Sequence, residues 1–233
     1  MDKMKIMISS AIVAVGIVVL GFCIKSGLNS FSQNQRVVAV KGLAEREVKA
    51  DKVIWPIVFK ELGDDLPGLY DRVNAKNLIV KKFLKASGIT DAEISTNVVV
   101  TDLQADSYSS ERTPYRYRIN SVVTVNTKKV DTVLKLIENQ STLIQQGVAI
   151  SFDYSATTQF DFTELNKVKP EMIKEATQNA RKAAQQFATD SDSKLGKIKS
   201  ASQGQFSIED RDQNTPSIKK VRVVTTIEYM LED

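Results

Sequence analysis

Between Ile6 and Ile24 the chain runs for nineteen residues without a charge, and no other stretch limits its fate so strongly. Wound as an α-helix at ~1.5 Å per residue, the run is about 28 Å long, close to the roughly 30 Å of a bilayer's hydrocarbon core. Its isoleucines, valines and leucine each favour insertion by ~0.3–0.6 kcal/mol. It has no polar face with which to lie on a soluble core. Lys3 and Lys5 precede it and Lys25 follows; the first two keep the N-terminus cytoplasmic by the positive-inside rule. The expectation is an uncleaved anchor over 1–25, single-pass in the inner (cytoplasmic) membrane, with the C-terminal domain in the periplasm or outside. Two alternatives stay open. A cleaved signal peptide, leaving a soluble periplasmic protein, has an apolar stretch of about 7–15 residues and a small-x-small site, which Lys25–Ser30 offers poorly. Lipidation of Cys23 requires a small residue before it, and Phe22 stands there. Residues 26–36, rich in Ser, Asn and Gln, read as a polar tether.

Beyond the anchor, 42% hydrophobic and 26% charged residues describe an ordinary globular chain able to bury a core. The net charge of +4 is spread as pairs such as Lys81-Lys82, Lys128-Lys129 and Lys219-Lys220. Nucleic-acid binders concentrate such charge in one stripe, so no nucleic-acid partner is expected. There is no histidine, and Cys23 is the single cysteine. That removes Ser-His-Asp and Cys-His nucleophiles, His-Cys zinc sites and the commonest general base.

Period-two alternation marks strands over Val37–Lys49 and Val53–Leu62. In the second, Trp55-Pro56 implies a bulge or an edge position, because proline has no N–H for a ladder. Asp65-Leu66-Pro67 starts a helix that runs to Ala86, with Tyr70, Val73, Val80, Phe83 and Leu84 inward and Gly88 as its stop. Strands follow over Ile94–Leu103 and Tyr115–Asn126, separated by the polar loop Gln104–Pro114. Thr127 is placed to cap a helix over Lys128–Asn139, with Val130, Val133, Leu134 and Ile137 inward. Val148, Ile150, Phe152 and Tyr154 alternate as a strand over Val148–Tyr154. A helix over Glu164–Thr189 carries Ala176, Ala180, Ala183, Ala184 and Phe187 on one side, and strands over Lys197–Ile208 and Ile218–Leu231 close the chain. In the last strand Val221, Val223, Thr225, Ile227 and Tyr229 share a face.

This order gives an α+β fold, with antiparallel sheets and helices packed on one face, preceded by one transmembrane helix. Strand–helix–strand–long loop–strand occurs twice, over about 52–127 and 148–231, within one exported domain over 37–233. Thr113-Pro114 in the first loop returns as Thr215-Pro216 in the second, 102 residues later.

Several segments resemble a known family. Val37–Asp51 is similar to the opening strand of SIMPL (DUF541) domains, with alternating valines, Gly42 and Asp51, although Ala50 stands where proline is usual. Ser87-Gly88-Ile89 followed by Glu93-Ile94-Ser95-Thr96 resembles the family's approach to its third strand, and Tyr115, Tyr117, Val123 and Val125 the strand after it. Glu175-Ala176, Asn179-Ala180-Arg181 and Lys182-Ala183 resemble its helix signature, and Leu195-Gly196-Lys197-Ile198 the strand that follows. The resemblance covers about 37–231. It implies an exported protein of the bacterial periplasm or outer envelope, linked to tolerance of oxidative stress, with assembly into higher oligomers in some members. It carries over no catalytic residue. Gly42, Asp51, Gly88 and Arg181 match the pattern, and the roles expected of them are turns, a cap and an exposed guanidinium paired with a neighbour.

Carboxylates are the catalytic raw material that remains. Glu45 and Glu47 read as a solvent-facing pair, and Asp64-Asp65 as helix capping. Asp190-Ser191-Asp192-Ser193-Lys194 superficially suggests a calcium loop, but Leu195 replaces the obligatory glycine and Ala201 the bidentate glutamate. No catalytic, cofactor or metal residue is assigned, and no cofactor is expected. Two loops are candidates for interaction: Gln104–Pro114 with Tyr108 and Arg112, and Glu209–Ser217 with Arg211. The reading is a non-enzymatic envelope protein, a membrane-anchored scaffold or interaction module that self-assembles and serves stress tolerance, with unidentified envelope partners. The alternatives are a periplasmic binding module for a small apolar or cell-wall ligand, with a pocket at Trp55, Phe59 or Phe83, and a signalling adaptor.

Overall fold

The structure, a computed structural model, describes residues 14–26, 36–105 and 114–232. Helix α1 (14–26) takes in the second half of the apolar run; the first half lies outside the described residues. Among the described residues no helix is long and apolar enough to cross a membrane. After α1 come β1 (Val37–Lys49), β2 (Lys52–Gly63), α2 (Leu66–Ala86), a 3-10 turn (Asp91–Glu93), β3 (Ile94–Asp102) and β4 (Tyr117–Thr127). Then follow α3 (Val130–Glu138), α4 (Ser141–Gln145), β5 (Gln159–Asp161), α5 (Leu165–Asp190), β6 (Lys194–Gln203), β7 (Ser207–Asp210) and β8 (Ile218–Glu232). The fold is α+β. One sheet has the order β3-β4-β2-β5, the other β1-β8-β6 with β7 also on β8. Pairings are antiparallel. The succession β2, α2, β3, β4 produces the order β3-β4-β2. In the other sheet β6 and β8 follow α5, but their partner is β1 from the start of the chain, while β5, the strand before α5, belongs to the first sheet. The second copy of the expected repeat is therefore not continuous over 148–231.

The chain divides into two compact units. One contains Arg46–Lys167 and Ile208–Val221. Its core is Val53, Trp55, Ile57 and Phe59 of β2, Ile119, Val123 and Val125 of β4, and Leu69, Val73, Val80 and Leu84 of α2, closed by Val130, Val133, Leu136 and Leu143. Helix α2 begins where the Asp65 carboxylate accepts the Gly68 N–H at 3.2 Å. It ends in a Schellman motif: the Ile89 N–H donates to the Leu84 carbonyl and the Gly88 N–H to that of Lys85, with Gly88 at φ +84. Tyr70 does not face inward as the sequence suggests; it is exposed, and Leu69 beside it is buried. The inward stripe is Leu69, Val73, Asn77, Val80 and Leu84. Asn77 belongs there because its Oδ1 accepts the buried Ser121 hydroxyl of β4 at 2.8 Å.

Three further expectations are corrected in this unit. Helix α3 starts at Val130 with Lys129 at its N-cap, and Thr127 accepts the Lys129 N–H at 3.1 Å from two residues ahead of the cap position. Leu136 is fully inside, while Leu134 and Ile137 are half-buried. Val148–Tyr154 is not a strand. It makes one bridge, Ile150 to Phe59, and one bond, from the Ser151 N–H to the Val58 carbonyl at 2.7 Å. The reason lies in β2. Pro56 offers no N–H along the side that faces this segment, so pairing cannot continue past it. The chain leaves and returns as β5 opposite Lys52–Ile54. Pro56 therefore sits at an edge position, while the register of β2 with β4 runs unbroken past it from Val53 to Gly63.

The other unit contains residues up to Glu45, Val168–Ser207 and Arg222 onward. Its helix buries Met172, Ala176, Ala180, Ala184 and Ala188, one residue in every four; Ala183 and Phe187, expected on that stripe, are exposed. Val38, Ile227 and Tyr229 complete the contact. Gly42 explains how close the helix comes to β1. A Cβ there would lie 1.9 Å from the Ala176 carbonyl oxygen and 2.4 Å from the Ala180 nitrogen. The strand expected over Lys197–Ile208 is two, β6 and β7, interrupted at Gly204, whose N–H donates to the Val224 carbonyl at 2.8 Å.

Candidate binding clefts and an open sheet edge

The residues singled out in the sequence fall in different places. Gly42 is a contact point for helix packing, and Gly88 is the left-handed residue that ends α2. Asp51 is a cap. Its carboxylate accepts the Thr163 N–H and hydroxyl, each at 2.9 Å, and the Glu164 N–H at 2.8 Å, immediately before α5. Burial disfavours its charge, but these bonds, helped by Lys128, hold it below the usual carboxylate range. Arg211 is taken up in its own turn. Its guanidinium bonds Asp212 at 3.0 Å and the Thr215 hydroxyl at 2.8 Å and lies 3.6 Å from Glu47. The bond from the Thr215 hydroxyl, then Arg211, brings Asp212 to about 2. The loop between β7 and β8 is thus an ordered turn. Tyr108 and Arg112 lie outside the described residues. Arg181 is exposed and, among the described residues, makes no ion pair.

One junction carries no sequence signal beyond Thr90 and Glu93 standing three apart. Glu93 accepts the Thr127 hydroxyl at 2.6 Å, the Thr90 N–H at 2.8 Å, the Thr90 hydroxyl at 2.9 Å and Lys129 at 3.1 Å. Lys129 also donates to the Gly88 carbonyl at 2.7 Å. The end of α2, the 3-10 turn, the end of β4 and the start of α3 are thereby tied at one carboxylate. The Thr127 bond does most to bring Glu93 down to about 2.

Their surroundings hold the Asp51, Glu93, Asp102, Asp153 and Asp212 carboxyls below the usual carboxylate range. These groups stay ionised as hydrogen-bond acceptors; a general acid requires the opposite shift. Among the described residues no three His, Cys, Asp or Glu side chains are grouped to hold a metal. Cys23 is exposed on α1.

Several open clefts mark the surface. One of about 410 Å³ is lined by Lys49, Lys128, Lys129 and Asp131 over a floor that includes Ala50, Val130 and Ile218. Another, of about 350 Å³, lies beside Trp55, Ile57, Ile144 and Phe152. There Phe152 and Tyr154 are 74% and 89% exposed and meet edge to face at 4.9 Å. A third, of about 290 Å³, has Phe83 on its wall. A fourth, of about 350 Å³, lies between α5 and β6. Phe59 and Trp55 themselves are 0% and 4% exposed and locked into the core.

The sheet edges differ. β1 carries Lys41, Glu45, Arg46, Glu47 and Lys49, and β5 is three residues long. β6 carries Lys194, Lys197 and Lys199 and two register shifts against β8. β3 carries a charge only at its last residue, Asp102. Ile94–Thr101 is uncharged, its register with β4 is unbroken, and it ends the sheet order.

A family model described as SIMPL, protein of unknown function (DUF541), matches residues 38–228. No curated protein matches the sequence.

Proposed function

The chain belongs to the SIMPL family (DUF541), and from that premise we propose that it is a membrane-anchored, self-associating interaction module of the bacterial envelope, in the service of oxidative-stress tolerance, and not an enzyme. The observation that carries this reading is the edge of β3, bare among the described residues. Proteins blunt exposed edges with lysines, proline, bulges or brevity, because a free row of N–H and C=O groups templates pairing with another chain. β1, β5 and β6 are blunted in these ways and β3 is not. Val99 and Val100 add apolar surface at 50% and 47% exposure. Two copies meeting antiparallel at β3 form one continuous sheet about a two-fold axis, and no charge between Ile94 and Thr101 opposes it. The anchor draws on the uncharged run over Ile6–Ile24 and on α1, where Val15, Ile17, Val18, Leu20 and Phe22 are each more than 60% exposed. An apolar helix without protein cover is suited to lipid. For the alternative, a binding module for a small apolar ligand, Trp55 and Phe83 each stand on the wall of a surface cleft, whereas Phe59 is taken up by core packing.

The test is the mass of the full chain in mild detergent by light scattering. The wild type is expected as a multimer, Val99→Lys as a monomer, and Val99→Thr as the wild-type species. A strictly monomeric wild type, or a Val99→Lys variant of unchanged mass, sinks the edge-pairing reading.

A further inference from the structure

We propose that the cleft between α5 and β6 binds a small oxyanion, a phosphate ester or a carboxylate, with Arg181 and Lys197 as its cationic clamp. This goes beyond self-association and uses a different surface. Thr177, Arg181 and Gln185 stand four residues apart on α5 and therefore form one row along it, presenting a hydroxyl, a guanidinium and an amide. Facing this row is β6, where the register against β8 shifts between Leu195 and Ile198 and again between Ile198 and Ser200. A bulge re-aims side chains that strict alternation would send to opposite faces. Here it allows consecutive residues Lys197 and Ile198 both to line the cleft.

The charge balance points to an anion. Arg181 and Lys197 make no ion pair among the described residues, and no carboxylate lines the cleft. Glu232 lies alongside Gly196 at the margin: a Cβ on Gly196 would be 2.7 Å from its Oε1. Two unneutralised cations facing one concavity raise the local concentration of counter-ions, and a guanidinium fork matches phosphate or carboxylate oxygens two at a time. Leu195, Ile198 and the ring of Tyr229 supply apolar wall beside them. The volume of about 350 Å³ falls within the range of small-molecule sites. The two segments that meet here, around Arg181 and around Lys197, are also two of those through which the sequence resembles its family.

The same chemistry is carried by a soluble phosphate ester or by a phospholipid headgroup, and the experiment separates them. The full chain in an uncharged detergent is titrated with pyrophosphate by calorimetry, and separately with phosphatidylglycerol doped into the same detergent. Saturable binding is expected from at least one probe. Arg181→Gln and Lys197→Gln should each weaken it about tenfold or more, the scale of a charged hydrogen bond. Lys182→Gln, which removes the same charge from the neighbouring position on α5, should leave it unchanged, and Glu232→Gln should tighten it. Binding of pyrophosphate identifies a soluble phosphate, and binding of the lipid alone identifies a headgroup. Absence of saturable binding to either probe overturns the proposal, as does equal weakening by Lys182→Gln and Arg181→Gln, which marks mere attraction to net charge.

Discussion

At the scale of single residues, buried polar groups show how carefully this chain is satisfied and where it is not. Ser121 is fully buried, yet its hydroxyl donates to Asn77, so the pair joins β4 to α2 at little net cost. Thr225 is 5% exposed on the inward face of β8 and its Oγ1 has no partner among the described residues. An unmet buried hydroxyl costs ~1–3 kcal/mol, and valine has nearly its shape without the polar atom. Thr225→Val should therefore stabilise the fold by about 1 kcal/mol, read as a higher urea midpoint with an unchanged slope; a lower midpoint would show that the hydroxyl is paired. Thr225 was legible as inward from alternation alone. Its lack of a partner was not, because hydrogen bonding depends on what the facing helix presents. Gly42 and Gly88 illustrate the same divide. A glycine ending a helix is readable as a left-handed stop, whereas Gly42 lies mid-strand and owes its identity to Ala176 and Ala180, far along the chain.

Among the elements, α2, α3 and α5 were read to within two residues because their ends are local chemistry, while the short α4 was not read at all. Asp65 with Pro67 opens α2 and Gly88 closes it. Asp192, at φ +51, closes α5 in the same way, with the Ser193 N–H on the Ala188 carbonyl at 2.9 Å. The strand expected over Val148–Tyr154 failed for a non-local reason: its alternation is sound, but Pro56 on the facing side of β2 denies it a ladder. The junction at Glu93 was invisible for a related cause, since Thr127 and Lys129 reach it from another element. That junction makes a testable demand on pH. Glu93 is brought from 4.5 to about 2 by folding, chiefly through the Thr127 hydroxyl. A carboxylate with a depressed folded value binds its proton more readily when unfolded. Its stabilisation is complete above 4.5 and fades as pH falls from there towards 2. Glu93→Gln should be less stable than the wild type at neutral pH, and the gap should close across that window. Asp51 and Asp212 titrate in both proteins, so the difference between two urea series isolates Glu93; a gap that does not depend on pH would show that the carboxylate's charge is not what the junction uses.

For the whole molecule, the open question of physical chemistry is what covers α1. The run from Ile6 to Ile24 holds eleven Ile, Val, Leu and Phe residues, worth roughly 3–7 kcal/mol of insertion at ~0.3–0.6 kcal/mol each. A lysine near the middle of a span costs about 2.5–3.5 kcal/mol, so two together match the gain of the whole run. Val15 and Val19 stand four apart near its centre, at 63% and 56% exposure, and their replacement touches no core contact of either unit. In cells, the wild type should stay in the membrane pellet through a carbonate wash, and Val15→Lys/Val19→Lys should appear in the supernatant. The β3 edge provides no refuge for the alternative, because carbonate strips proteins held to membranes by association alone. A wild type released by carbonate sinks the anchor. So does a mature chain whose mass shows that the residues up to Ile24 have been removed, which instead assigns the run to a cleaved signal and leaves self-association to β3 without a membrane to concentrate it.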